Sequence, residues 1–187
     1  MMSRLTPAAK SVVVRGYEYA ARDQAGQIRE EHLLEALLAD SEGSRLLGDR
    51  LVDEDVLRQV LGELEDSRRK GGLTVAEQAA LGSLGIDVDA VVQQIEDQLG
   101  TQALAAEEPK PPRWWHKPAF SADAVRVLTE AERHLSATGG RSLGVEHLVL
   151  GLVSAPTALA ESLARRGVCE ASVRDQLVAR STLGGPR

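Results

Sequence analysis

An all-α fold of two pseudo-symmetric helical repeats is what this sequence predicts, and three observations carry the expectation. Apolar residues recur at helical spacing, with no strand alternation of useful length. A pattern near the start returns after 115 residues. Between its two copies, four of the seven prolines gather at positions 109, 111, 112 and 118, which breaks helices and makes a linker. Seven to ten helices in two similar bundles is the coarse architecture.

The first helix starts at Thr6-Pro7: Thr caps free amides and Pro suits the first helical position. Val12, Val13, Tyr17 and Ala20 follow at helical spacing, and Gly26 reads as the stop. A second helix begins near Arg29 and runs through Glu30-Glu31-His32-Leu33-Leu34, its early acids suited to the helix dipole. Val56, Leu57, Val60, Leu61 and Leu64 form one stripe, with acids at its start and Arg68-Arg69-Lys70 at its end. Thr74 and Glu77 make a capping-box signature. In the second half Phe120-Ser121 answers Leu5-Thr6, Val127 answers Val12, and Glu146-His147-Leu148 answers Glu31-His32-Leu33. Leu84-Gly85-Ile86 answers Arg166-Gly167-Val168 at another offset. Gly85 lies 54 residues beyond Glu31, but Gly167 only 21 beyond Glu146, so the first half carries about 33 extra residues.

These patterns divide the chain into a first repeat at 1–99 with a helical insertion at about 40–73, a linker at 100–118, a second repeat at 119–180 and a flexible tail at 181–187. A surface-loop insertion is the alternative for the extra segment. Trp114 and Trp115 fall in the linker, where large aromatics either pin the chain to a domain or meet a partner.

Composition excludes several classes. The net charge of −6 opposes generic nucleic-acid binding, which needs a basic face. The single cysteine, Cys169, allows no internal disulfide and no CxxC metal knuckle. No run of 18 apolar residues exists to span a membrane, and MMSRLTPAAK holds no signal core. A cytoplasmic location is the expectation. His32 and His147 read as structural histidines rather than metal ligands, since no HExxH or cysteine cluster supports them. A catalytic carboxylate pair from Glu31 and Glu146 is disfavoured, because pseudosymmetry makes two equivalent sites more natural. Cys169 has no repeated counterpart, and no Ser-His-Asp set stands out. The expectation is therefore no enzyme, no cofactor and no metal.

With Leu5-Thr6, Arg29 to Leu34 and Leu84-Gly85-Ile86 in one half, and Phe120-Ser121, Leu143 to Leu148 and Arg166-Gly167-Val168 in the other, the chain resembles the amino-terminal double-repeat domain of the Clp unfoldase family, its ClpC-type branch in particular. The resemblance covers about residues 4–39, 80–99 and 119–180. It implies an all-helical module that docks protein substrates or adaptors for a AAA+ motor, and peptide-like ligands are a further possibility. It also implies phosphoarginine sites in which the Glu of Glu-His-Leu holds the guanidinium and the helix-start hydroxyl helps hold the phosphate. Position by position these are Thr6 with Glu31 and Ser121 with Glu146. Leu5, Phe120, Trp114 and Trp115 are candidate hydrophobic contacts for a partner. The first repeat departs from the family pattern, with Leu5 for an aromatic and Arg29-Glu30 for Gly-Thr. The second keeps Phe120 and Gly144 and has Ser121 for Thr. No GxxxxGK[ST] phosphate loop occurs. The expectation is a free-standing relative of the docking domain that acts as an adaptor or a sequestering decoy, possible partner of a ClpC-type motor. An N-terminal piece of a complete Clp ATPase and a small helical transcription regulator are the alternatives, though the latter lacks an obvious basic recognition helix.

Overall fold

The computed structural model describes residues 4–48, 51, 53–101, 103–104 and 119–183. In the first half, helix α1 spans Pro7–Arg22, α2 Glu30–Leu38, α3 Ser41–Leu47 and α4 Glu54–Arg69. Helices α5 (Val75–Ser83) and α6 (Val88–Leu99) follow. In the second half, α7 spans Ala122–Ala137, α8 Val145–Ser154, α9 Ala158–Arg165 and α10 Glu170–Leu183. Short polar side chains start these helices as the sequence requires. Thr6 Oγ1 accepts the Ala9 N–H at 3.2 Å, and Ser121 Oγ accepts the Ala124 N–H at 3.1 Å. Thr74 and Glu77 close the expected capping box.

The first helix stops earlier than expected. Gly26 does not end it; α1 closes at Arg22, and Gln24 takes the left-handed conformation with φ of 55°. The Ala25 N–H reaches Ala20 O at 2.9 Å, the closing bond of a Schellman turn. Gly139, 115 positions on, makes the equivalent turn with φ of 65° and the Gly140 N–H on Leu135 O. The last helix likewise runs to Leu183, so the tail expected from residue 181 begins in helix, and 184–187 lie outside the described residues.

The two halves share a single core. It runs through Val12, Leu34, Leu37, Leu46, Leu64, Val127, Leu148, Leu152, Leu163 and Val173 without a break between repeats. Helix α8 is apolar on nearly every side because it lies at the centre, packed by α7, α9, α10, α3, α1 and α2. No single helix among the described residues is long and apolar enough to cross a membrane.

The fourth helices are exchanged: α4 packs on α9 of the other repeat, and α10 packs on α3. Glu63 of α4 accepts from Arg166 at 2.7 Å, from Ser162 at 2.6 Å and from Arg165 at 2.5 Å. The hydrogen bond from Arg166, reinforced by Ser162 and Arg165, holds that carboxyl at about 2. On the opposite side the Gln176 side chain reaches Leu46 O at 3.4 Å.

This exchange makes α4 the counterpart of α10, and α3 the counterpart of α9. We therefore propose that the extra segment is the α5–α6 hairpin at 71–99, rather than about 40–73. The turns at Gly85 and Gly167 do match, with φ of 82° and 80°, but that likeness is local to a helix–glycine–helix turn. The hairpin buries only Val92. Polar ties hold it: Glu161 accepts the Val75 N–H at 2.8 Å, and Arg69 donates twice to Glu96 at 2.9 and 2.7 Å.

Close helix crossings need small residues, and the repeats place them on opposite helices. Gly16 of α1 corresponds to Ala131 of α7, and Ala36 of α2 to Gly151 of α8. A Cβ at Gly151 would lie 2.7 Å from the Ala131 nitrogen and would also strike the Val127 carbonyl oxygen, both backbone atoms that cannot yield. Gly151→Ala should lower stability by about 3 kcal/mol, the upper end of overpacking costs. Gly62→Ala, where an added Cβ meets nothing within 4 Å, should be neutral or stabilise by about 1 kcal/mol. Thermal melts followed by circular dichroism check both, and an unchanged midpoint for Gly151→Ala would exclude the tight crossing.

Candidate functional site

The sequence-predicted site residues sit on two seams where the repeats meet. Strand β1 (Gln27–Ile28) pairs in parallel with β2 (Ala119–Phe120). The Ser121 N–H then donates to Ile28 O at 2.9 Å. On the other side Leu5 bridges in parallel to Leu143, and the Thr6 N–H donates to Leu143 O, also at 2.9 Å. These are the same interaction repeated about the pseudo-two-fold. These parallel pairings are too short to register as sequence alternation.

This pairing exchanges the partners implied by the resemblance. Thr6 is bonded to the segment that leads into Glu146, and Ser121 to the segment that leads into Glu31. Helix α1 also touches α8 and α2 touches α7, beside the larger packing of α1 on α2 and of α7 on α8. The within-repeat pairs Thr6 with Glu31 and Ser121 with Glu146 are not the ones these seams assemble, because a helix start pairs across the two-fold. Each seam joins a helix start of one repeat to the backbone just ahead of the Glu-His-Leu helix of the other.

Both histidines hold the local frame. His32 Nδ1 accepts the Arg29 N–H at 2.9 Å, and His147 Nδ1 accepts the Gly144 N–H at 3.1 Å. Each imidazole thereby closes its own helix start. Burial lowers the His32 value and so favours the neutral ring that can accept. Glu146 Oε1 also lies 2.9 Å from His147 Nδ1. An Nδ1 that accepts an amide hydrogen has no proton to offer, so that approach is not an ion pair. Among the described residues no group of three His, Cys, Asp or Glu side chains could hold a metal ion.

The two seams differ sharply in charge. At the Thr6–Glu146 seam, position 144 is glycine, and an added Cβ there would collide with the Glu146 carboxylate. Glu146 keeps 34% of its side chain exposed. The first turn of α1 holds no acid. At the Ser121–Glu31 seam, position 29 is Arg, whose guanidinium stands 3.7 Å from Glu31 Oε1. Arg68, at the far end of α4, donates to Glu31 Oε2 at 2.5 Å. The Glu31 side chain is only 10% exposed, and Asp123 lies in the first turn of α7. Arg29 and Arg68 are the site residues that sequence reading passes over. Arg68 sits in a basic run at a helix end, where the dipole already explains it.

Glu30 is the other surprise. It is 3% exposed, whereas its counterpart Val145 is an ordinary core residue at 1%. Burial first, then the charges of Asp123 and Glu31, push its carboxyl up to about 8, with Arg68 acting the other way.

Leu5 and Phe120 are half-buried and pack against the shared core, so each spends much of its surface on the fold. Trp114 and Trp115 lie outside the described residues.

Comparison with known proteins gives a consistent family. The family model described as the Clp repeat (R) N-terminal domain matches twice, at residues 4–79 and 68–166. A solved chain from structural investigations of a malarial protein secretion system is 17% identical. It matches over 95% of this chain and 94% of that one, with a TM-score of 0.56. The N-terminal domain of the caseinolytic protease associated chaperone ClpD from Arabidopsis thaliana is 19% identical, covering 95% and 96% of the two chains with a TM-score of 0.48. No curated protein matches.

The Glu30 carboxyl yields a test of the inter-repeat seam. Its folded value of about 8 lies above the ordinary 4.5. The folded chain therefore keeps a proton that the unfolded chain releases, and stability falls as pH rises from 4.5 through 8. Glu30→Val should remove that slope and raise the melting temperature most at pH 8 and above. A Glu30→Val chain whose midpoint follows the same pH dependence as the wild type between pH 5 and 8, measured at constant ionic strength, would rule out the buried acid.

Proposed function

Since the chain belongs to the Clp repeat N-terminal domain family, a non-catalytic protein- and peptide-binding module of the Clp system, we propose that it recognises arginine-phosphorylated segments of proteins at the Thr6–Glu146 seam. It acts there as an adaptor or as a sequestering module for substrates of a ClpC-type motor.

The observation that carries this reading is the backbone pairing across the repeats, which bonds the start of α1 to the chain just ahead of the helix that carries the partly exposed Glu146. A phosphoarginine side chain offers guanidinium N–H donors and a phosphate on one flat head. A carboxylate suits the donors through paired charge-assisted bonds. A helix start suits the phosphate through its amides and its positive dipole end. At this seam Glu146 supplies the first and the Thr6 start of α1 the second, with no acid in that first turn to oppose the anion. Gly144 supports the same reading, since its missing side chain leaves room in which the Glu146 carboxylate can turn. The Ser121–Glu31 seam has the same parts but adds Asp123, whose charge opposes a phosphate.

Calorimetry with an arginine-phosphorylated peptide and its plain twin tests the proposal. The phosphorylated peptide should bind and the plain one should not. Glu146→Gln should weaken binding at least about 30-fold, the equivalent of some 2 kcal/mol for a charged hydrogen-bond partner. Equal heats for the two peptides, or full affinity in Glu146→Gln, would refute it. Retention of a ClpC-type motor on the immobilised chain separates the adaptor role from sequestration.

A further inference from the structure

We infer that Arg68 is a built-in occupant of the guanidinium seat at Glu31, which closes that seat to an incoming phosphoarginine. The inference rests on the proposed function for the identity of the ligand, but not for the occupancy itself.

The geometry is that of a ligand mimic. Arg68 lies 37 residues from Glu31, on the helix that crosses to the other repeat, and donates to Glu31 Oε2 at 2.5 Å. Arg29 approaches Oε1 at 3.7 Å, so both carboxylate oxygens face guanidinium groups of the chain itself. The pair is well shielded, with Arg68 25% and Glu31 10% exposed. A shielded charge-assisted bond is strong, and an incoming guanidinium has to displace it. Position 29 is a second barrier: Arg29 stands where the other repeat has Gly144.

The surroundings also show what the seat would take if vacated. Glu31 remains as the acceptor beside Arg29, with the buried Glu30 held neutral and Asp123 in the first turn of α7 paired with Arg126. A carboxylate seat of this kind suits a bare guanidinium and repels a phosphate. Removal of Arg68 should therefore create a site for unmodified arginine rather than a second phosphoarginine site.

The experiment uses the full chain and three variants, Glu146→Gln, Arg68→Ala and Arg68→Ala/Glu31→Gln, each checked for native helicity. The probes are arginine amide, read by NMR titration, and the arginine-phosphorylated peptide, read by calorimetry. The wild-type chain should bind one phosphorylated peptide through Glu146 and no arginine amide. Arg68→Ala should gain an arginine amide site that the added Glu31→Gln abolishes. Two phosphorylated peptides per wild-type chain would overturn the inference, as would a folded Arg68→Ala that gains nothing. Failure of the phosphorylated peptide to bind the wild-type chain would defeat the proposed function alone, and the arginine amide arm would still decide the role of Arg68. Phenylglyoxal labelling of the wild-type chain decides it even if Arg68→Ala does not fold. Arg68 should react at least about tenfold more slowly than the exposed Arg133, as a shielded charge-assisted bond requires, and Glu31→Gln should release it. Equal labelling of Arg68 and Arg133 overturns the inference.

Discussion

Two backbone hydrogen bonds, Thr6 N–H to Leu143 O and Ser121 N–H to Ile28 O, are the interactions on which the rest of this structure depends. Each joins the start of the first helix of one repeat to the chain just ahead of the second helix of the other. Backbone amides and carbonyls at such a seam cannot go unpaired without a penalty of about 1–3 kcal/mol each, so the pairing is obligatory once the seam is buried. It fixes the relative placement of α1 and α8, and of α7 and α2. The core then closes as one cluster rather than two. The crossing of α4 onto α9 and α10 onto α3 locks the same arrangement from the outside.

A symmetric scaffold of this kind produces two equivalent seats, and the side chains then make them unequal. The differences fall at a few positions: Arg29 against Gly144, Glu30 against Val145, and the Asp123 in α7 that has no acidic counterpart in α1. Arg68 completes the contrast from a distance. At one seam the chain's own Arg68 and Arg29 face the Glu31 carboxylate. The other keeps a partly exposed carboxylate beside a helix start with no acid in its first turn. Glu30 is costly for the fold, since a carboxyl that buried stays protonated well above its ordinary range.

The helices and their starts were legible in the sequence because they depend on neighbours within one turn. Thr6, Ser121 and Thr74 each cap the amide that spacing assigns to them. The 115-residue repeat was legible too, and with it the family. The likeness between Leu84-Gly85-Ile86 and Arg166-Gly167-Val168 holds as turn geometry, and under the proposed α5–α6 insertion it carries no topological equivalence. A Schellman-type turn forms wherever a helix ends on a left-handed glycine, whatever packs around it. Gly26 misled for the opposite reason: Gln24 accepted the left-handed conformation that glycine usually takes.

The sequence by itself therefore determined the all-helical class, the two repeats and the helix caps, and it singled out Thr6, Glu31, Ser121 and Glu146 as candidates. Only the tertiary structure decided how those four are shared out. Periodicity within a repeat describes one face of one helix and says nothing about which repeat that face will meet. The pseudo-two-fold crossed the partners, giving Thr6 to the Glu146 segment and Ser121 to the Glu31 segment. It also brought Arg68 across 37 residues to Glu31. A long, flexible side chain at a helix end has many acids within reach of its sequence, and packing alone selects the one it meets.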